Sequence, residues 1–225
     1  MQRGQAVDST GIQVERGAGT VVTIRAATQQ DISETIAVHK AAFPGFFLTM
    51  LGDRFLRELY RGFLQDSASI WFIASQNGRL IGFVVGTTEP AGFFKRLLIY
   101  RWHAFIVAGA AGFFRHPLQI VRRFLAALVY RGEKPRGIDK ATLLSSIGVS
   151  PHYAGRGVGL SLVEHFCQEA FSRGTDQVYL LTDDANNDAA NRFYVKCGFS
   201  LESSLTRDGE RKMNRYIRSF SAEKQ

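Results

Sequence analysis

Between Ile147 and Phe166 the chain runs from a β-rich stretch, through three glycines in five positions (Gly155-Arg156-Gly157-Val158-Gly159), into an amphipathic helix carrying Leu160, Leu162, Val163 and Phe166. A strand that ends in a glycine-rich turn and feeds a helix must bury one strand face and one helix stripe against each other. With the strand–helix alternation that continues to the C-terminus, this predicts a mixed α/β domain. The chain's 225 residues are enough for one substantial domain, and 45% apolar against 21% charged residues is a globular composition that excludes disorder and collagen-like repeats. Two cysteines, Cys167 and Cys197, cannot frame a fold of this size with disulfides. No paired Cys/His spacing suggests a metal site, and the five histidines are scattered. The longest charge-free apolar run, Trp102 to Phe114, is too short to span a bilayer. With no signal segment at the N-terminus, a cytoplasmic protein is expected.

Periodicity divides the chain as follows. Residues 1–20 are polar and Gly-rich and read as a flexible tail, leaving 21–225 as a single domain. Val21–Arg25 reads as a strand, Thr28 and Asp31 as a capping box with a shortened acid, and a helix is expected to stop at Phe43-Pro44-Gly45. A second helix is expected over Gly52–Gln65, with Phe55, Leu56, Leu59, Tyr60 and Phe63 on one face. Ile70–Ser75 and Leu80–Thr87 flank Asn77-Gly78 and predict a hairpin. Later strands are expected at Ala141–Val149, Gln177–Thr182, Phe199–Ser204 and Lys212–Arg218, with helices at Gly157–Arg173 and Asn187–Lys196.

The formal charge of +8 belongs to one segment. Residues 92–137 hold nine Lys/Arg against the single acid Glu133, which is the whole excess. The segment is dense in aromatics and reads as two helices broken near His116-Pro117. Three roles stay open for it: a lid over an acceptor pocket whose arginines meet phosphates, a membrane-surface contact, or a homodimer element. Nucleic acid is not expected, because no recognition motif accompanies the charge.

The glycine turn presents unpaired backbone N–H groups at the positive end of a helix dipole, so it reads as an anion site suited to a pyrophosphate. A tightly packed helix start would use glycines in the same way. The dinucleotide fingerprint would need glycine at Leu160 or Leu162, and no G-x-x-x-x-G-K-[ST] occurs. A second element follows, Asn187-Asp188-Ala189-Ala190-Asn191-Arg192-Phe193-Tyr194-Val195-Lys196-Cys197-Gly198-Phe199: a short helix with an Asx-type start and a glycine stop.

Together the two elements resemble the GNAT superfamily of N-acetyltransferases. There, a strand followed by [RQ]-x-x-G-x-[GA] binds acetyl-CoA, and N-x-x-A-x-x-F-Y-x-x-x-G-F follows about thirty residues on. Gly157 and Gly159 occupy the first motif's glycine positions, and Asn187, Ala190, Phe193, Tyr194, Gly198 and Phe199 match the second. Ala154 stands where Arg or Gln is usual, with Arg156 two residues along. The resemblance implies a central mixed, mostly antiparallel sheet with a splayed strand pair, flanked by helices, with 92–137 as a helical insertion. It implies acetyl-CoA as co-substrate and no metal. Ile147, Gly148 and Val149 would hold the pantetheine arm, and Ala154, Gly155, Arg156, Gly157, Val158, Gly159 and Asn187 would hold the rest of the cofactor. A backbone N–H of Ile147 or Gly148 would stabilise the oxyanion, and an acceptor amine would attack directly in a ternary complex.

Tyr194 resembles the tyrosine that protonates the leaving thiolate, although a tyrosine beside Phe193 also suits a core. Glu89 is the base candidate, with Asp183 and Asp184 behind it and a water chain as the alternative. Cys197 lacks an adjacent histidine and reads as a small buried hydrophobe. The stretch Phe43-Pro44-Gly45-Phe46-Phe47-Leu48 and Tyr60 form the expected acceptor wall, suited to an amino sugar or another small amine, with Phe46 and Phe47 equally able to be inter-helix core. Two other functions compete: a membrane-peripheral acyltransferase using longer thioesters, and a CoA-binding scaffold without turnover.

Overall fold

A computed structural model of the chain describes residues 12–15, 21–90, 92–93, 96–97, 140–185, 187–207 and 211–220. Its strands are β1 (Ile12–Glu15), β2 (Val21–Ala26), β3 (Ser69–Gln76), β4 (Arg79–Thr87), β5 (Ala141–Val149), β6 (Gln177–Asp183), β7 (Ser200–Arg207) and β8 (Arg211–Ser219). Its helices are α1 (Ile32–Ala42), α2 (Phe47–Met50), α3 (Asp53–Gln65), α4 (Val158–Ser172) and α5 (Asp188–Lys196). The strands form one sheet in the order β1-β2-β3-β4-β5-β6-β8-β7, antiparallel everywhere except between β5 and β6. The expected mixed, mostly antiparallel sheet flanked by helices is therefore present.

Local chemistry accounts for the element ends. Asp31 accepts hydrogen bonds from Thr28 N (2.7 Å) and Thr28 Oγ1 (2.8 Å), which fixes the entry to α1, and α1 stops at Phe43 before Pro44. Asn77 (φ 51°) and Gly78 (φ 75°) both take positive φ, so β3 and β4 are joined by the primed turn that matches strand twist. Inside the segment read as a tail, Ile12–Glu15 instead adds an edge strand, pairing antiparallel with Val21–Ile24. Most of the 92–137 insertion lies outside the described residues, and with it the helix pair and its three candidate roles. Of its described residues, Phe93 is buried and stacks on Phe63 with ring centroids 4.4 Å apart.

Strand alternation sends side chains to two cores. Trp71, Ile73, Phe83 and Val85 face α1 and α3, meeting Ile36, Leu56, Tyr60 and Phe63. Ile70, Ala74 and Val84 face α4, meeting Leu162, Val163, Phe166 and Cys167. Complete burial of one such side chain as Phe166 contributes roughly 1.5–3 kcal/mol.

The sheet does not close evenly. β5 pairs with β6 only over Ala141–Leu143 against Gln177–Tyr179, although β5 continues to Val149 and β6 to Asp183. On its other edge β5 stays with β4, but the register slips: Val85 pairs with Ser146 and Gly86 with Leu144, leaving Ser145 as an extra residue. A bulge bends and over-twists its strand. Here it steers β5 away from β6, which remains paired with β8 as far as Asp183↔Met213. The result is a V-shaped gap beginning after Leu143.

Candidate functional site

The gap opens into a cavity of about 930 Å³. One wall is the β5 edge, with Ser145, Ser146, Ile147 and Val149; the opposite wall is Leu181, Thr182 and Asp183 of β6. Backbone direction can be followed along β5. Ser150 N donates to Ile81 O on the β4 side (2.8 Å), and N–H groups alternate along a strand, so Gly148 also faces β4. Ile147 and Val149 therefore turn their backbone groups toward the gap. Gly148 does not line the cavity; a Cβ there would meet Phe83 at 2.7 Å and Ala42 at 3.3 Å, so its own role is close packing of β5 against α1.

At the end of β5, a short 3₁₀ turn (Pro151–Tyr153) leads to Ala154, Gly155, Arg156 and Gly157, all of which line the cavity. Gly157 takes the left-handed conformation (φ 81°, ψ −3°) at the N-cap of α4, a conformation that a side-chain-bearing residue rarely holds. The first intrahelical bond runs from Ser161 N to Gly157 O, so the N–H groups of Val158, Gly159 and Leu160 are left at the mouth of the cavity. Arg156 lies over the Tyr153 ring, 5.4 Å from its centroid, which ties the loop to itself. A Cβ on Gly159 would sit 3.1 Å from the Phe193 ring, so this glycine lets α5 approach the start of α4.

α5 supplies the third side. The Asn187 side-chain amide donates to Thr182 Oγ1 (2.6 Å) and Asp183 O (3.1 Å), pinning the helix start to the splayed end of β6. Asn191 Nδ2 repeats the tie to Asp183 O at 3.3 Å. Tyr194 lines the cavity, with Phe193, Phe199 and Tyr216 around its ring. Burial pushes its phenol well above the usual tyrosine value, so it stays protonated at neutral pH and can act only as a donor of that proton.

Of the expected site residues, the cavity brings together Ile147, Val149, Ala154, Gly155, Arg156, Gly157, Val158, Gly159, Asn187, Tyr194 and Phe46. It does not bring in Glu89 or Tyr60. Glu89 lies at the end of β4 in a separate pocket and pairs with Arg96 (3.0 Å), which also holds Asp66 (2.9 Å). Tyr60 is 1% exposed within the α1–α3 core, so it forms no part of the acceptor wall; the apolar face that suggested a wall is the face α3 buries. Phe47 lies in α2, and its side chain is outside the described residues. Asp183 lines the cavity, whereas Asp184 accepts from Asn214 Nδ2 at 2.9 Å. The buried thiols of Cys167 and Cys197 are pushed up to about 12 and about 11, too high for a nucleophile at neutral pH. Among the described residues no three His, Cys, Asp or Glu gather to hold a metal, and no helix is long and apolar enough to cross a membrane.

A further wall, built by α1 and the residues that follow it, holds Phe43, Phe46 and Leu48 of the expected aromatic stretch together with one residue that the sequence did not single out, His39. Their rings form a chain, His39–Phe43 at 4.9 Å and Phe43–Phe46 at 5.4 Å. His39 lies four positions before Phe43, the residue that ends α1, and that spacing is the one signal the sequence carries for it.

The cavity thus offers backbone donors for an anion, an open strand edge and an aromatic wall. Residues 35–199 match the acetyltransferase (GNAT) family. No curated protein sequence matches the chain. Among solved structures the chain is similar to the ribosomal-protein-S18-alanine N-acetyltransferase of Escherichia coli, at 17% identity over 91% of this chain and 98% of that one, with a TM-score of 0.53. It is likewise similar to the PaiA N-acetyltransferase of Thermoplasma acidophilum in complex with coenzyme A, at 13% identity over 88% and 99%, TM-score 0.56. An N-acetyltransferase of Staphylococcus aureus shares 16% identity over 88% and 98%, TM-score 0.56. At these identities the structural likeness establishes the fold.

Proposed function

The chain belongs to the GNAT acetyltransferase family, and from that premise we propose that it acetylates a small primary amine by direct attack in a ternary complex, with an amino sugar as the first candidate. It is a GNAT-type N-acetyltransferase that uses acetyl-CoA. When bound, acetyl-CoA supplies an activated acetyl thioester. Everything else required belongs to this chain.

The observation that carries the reading is the splay with its loop. Backbone N–H groups of Gly155 to Gly159 receive the pyrophosphate, and their donors do not depend on the side chain at Ala154. The unpaired edge of β5 holds an extended arm by strand-like hydrogen bonds, since Ile147 and Val149 direct backbone groups into the gap. Of the two residues considered for the oxyanion, Ile147 is favoured, because the N–H of Gly148 is turned to β4. The acceptor nitrogen's lone pair forms the new bond to the carbonyl carbon, and the carbon–sulfur bond breaks. Tyr194 gives its proton to the departing sulfur, and the proton lost by the amine passes to cavity water. Glu89, tied to Arg96 away from the cavity, has no part in this scheme.

The aromatic wall supports a small acceptor. Phe46 is 49% exposed beside Phe43, and an uncovered ring of this kind stacks on the C–H face of a sugar ring or on a hydrocarbon. An acceptor screen that reads thiol release from acetyl-CoA tests the proposal. Turnover of amino sugars or other small amines is the expected result; turnover of protein lysines or polyamines alone would reject it.

A further inference from the structure

His39 is a polar side chain enclosed in an otherwise aromatic and aliphatic wall, and its sequence context assigns it no role. It is 3% exposed, it lines the cavity, and its Nδ1 is 2.7 Å from the Tyr60 hydroxyl. Phe83 stacks on the ring from β4 at 6.0 Å, and Phe43 tilts against it from α1. Tyr60 is enclosed by the same core, with Trp71 stacked on it at 5.2 Å and Phe83 edge-on at 5.7 Å. The pair is a buried dyad, and its protons have few places to go.

Those constraints select the tautomer. Were Nδ1 to carry the proton and donate to the Tyr60 oxygen, the phenolic hydrogen would be left among aromatic rings with no acceptor among the described residues. When Tyr60 donates to Nδ1 instead, its one hydroxyl proton has an acceptor, and the imidazole carries its hydrogen on Nε2. That atom, on the opposite edge of the ring, has no protein partner among the described residues. Burial lowers the ring's pKa to about 4, with no charged neighbour contributing, so the imidazole is neutral at physiological pH. A neutral N–H in an apolar wall matches a neutral oxygen; a carboxylate there would lose its hydration without gaining a counter-charge.

Resting on the proposed acetyl transfer to a small amine, we infer that His39 is a specificity-determining residue whose Nε2–H holds a hydroxyl or similar neutral oxygen next to the reacting amine. The acceptor is then an amino alcohol, the chemical class to which amino sugars belong, in preference to a plain alkylamine. Tyr60 is the positioning residue that keeps the donor on Nε2. A plain amine seated against the wall shuts water from that donor and leaves it unpaired, which is the physical source of discrimination.

The test uses the full chain, acetyl-CoA and a matched pair of amines, trans-2-aminocyclohexanol and cyclohexylamine, with the ratio of their kcat/KM values as readout. A ratio does not change with the fraction of protein folded, so a poorly folding variant still reports. The wild type is expected to favour the amino alcohol about tenfold or more, the worth of one hydrogen bond whose loss strands a buried donor. His39→Phe is expected to bring the ratio near one, His39→Gln to retain part of it through its side-chain amide, and Tyr60→Phe to reduce it about threefold. A wild-type ratio near one, or a preference that survives His39→Phe, overturns the inference. Failure to acetylate either amine overturns it too. Calorimetric binding of acetyl-CoA, measured alongside, separates that failure from failure of the broader reading: retained binding confines the error to the acceptor, and lost binding removes the acetyl-transfer proposal as well.

Discussion

Two parts of the cavity are built by different means. The part at the glycine loop is made of backbone: a bulge at Ser145, an unpaired strand edge at Ile147 and Val149, and N–H groups left at the start of α4. The aromatic wall is made of side chains that converge from α1, the turn after it and α2, namely His39, Phe43, Phe46 and Leu48. A backbone site tolerates side-chain change, which is why Ala154 can stand in the loop without removing its donors. A side-chain site does not, so the aromatic wall is where one family member is expected to differ from the next in what it acetylates. The comparison can be broken at either part.

The largest effect is expected at the loop. Gly157→Val forces a β-branched residue to φ 81° at the helix start and should weaken acetyl-CoA binding by about 100-fold or more while the secondary structure stays intact. Calorimetry and circular dichroism on the same sample measure both. Tyr194→Phe keeps the ring and removes the proton; kcat should fall about 10–100-fold with acetyl-CoA affinity nearly unchanged, and full turnover would end the acid role.

His39 yields a prediction about stability. Its folded pKa, about 4, lies below the unfolded histidine value of about 6.5, so between those two pH values the unfolded chain binds a proton that the native protein refuses. Stability therefore falls as pH drops through this window, by on the order of 3 kcal/mol in total, and is unaffected above it. Chemical denaturation at pH 7 and pH 4.5 should show the drop in the wild type and a smaller one in His39→Gln. The smallest effect is expected at Glu89. Its carboxylate is 63% exposed and paired with Arg96 outside the cavity, so Glu89→Gln should leave kcat within about twofold. A loss as large as that of Tyr194→Phe would return Glu89 to the chemistry.

The same contrast explains what was legible in the sequence. The loop and the Asn187–Phe199 helix are local devices, each encoded within about a dozen residues by glycine and hydrophobic period, whereas the splay was implied by the family resemblance; most expected strands and helices end within a residue or two of the observed ones, with β7 running three residues further, to Arg207. The His39–Tyr60 pair that sets the donor in the acceptor wall is not local. His39 and Tyr60 are 21 positions apart and meet only because α1 and α3 pack on the same face of β4. Period alone gave Tyr60 an inward face, but it could not say whether that face met core or cavity. Glu89 reads as a strand-end carboxylate, and no pattern in the sequence pairs it with Arg96, seven positions on in the insertion. The edge strand Ile12–Glu15 was missed because four residues in a polar, glycine-rich context carry too short an alternation to register.

The central claim is that the gap between β5 and β6, with its glycine loop, is an acetyl-CoA site. Calorimetric titration of the full chain with acetyl-CoA, with NAD and dodecanoyl-CoA as comparison ligands, tests it most directly. Saturable one-to-one binding of acetyl-CoA, in preference to both other ligands and lost in Gly157→Val, is the predicted result. Absence of acetyl-CoA binding, or binding that Gly157→Val leaves unchanged, would contradict it.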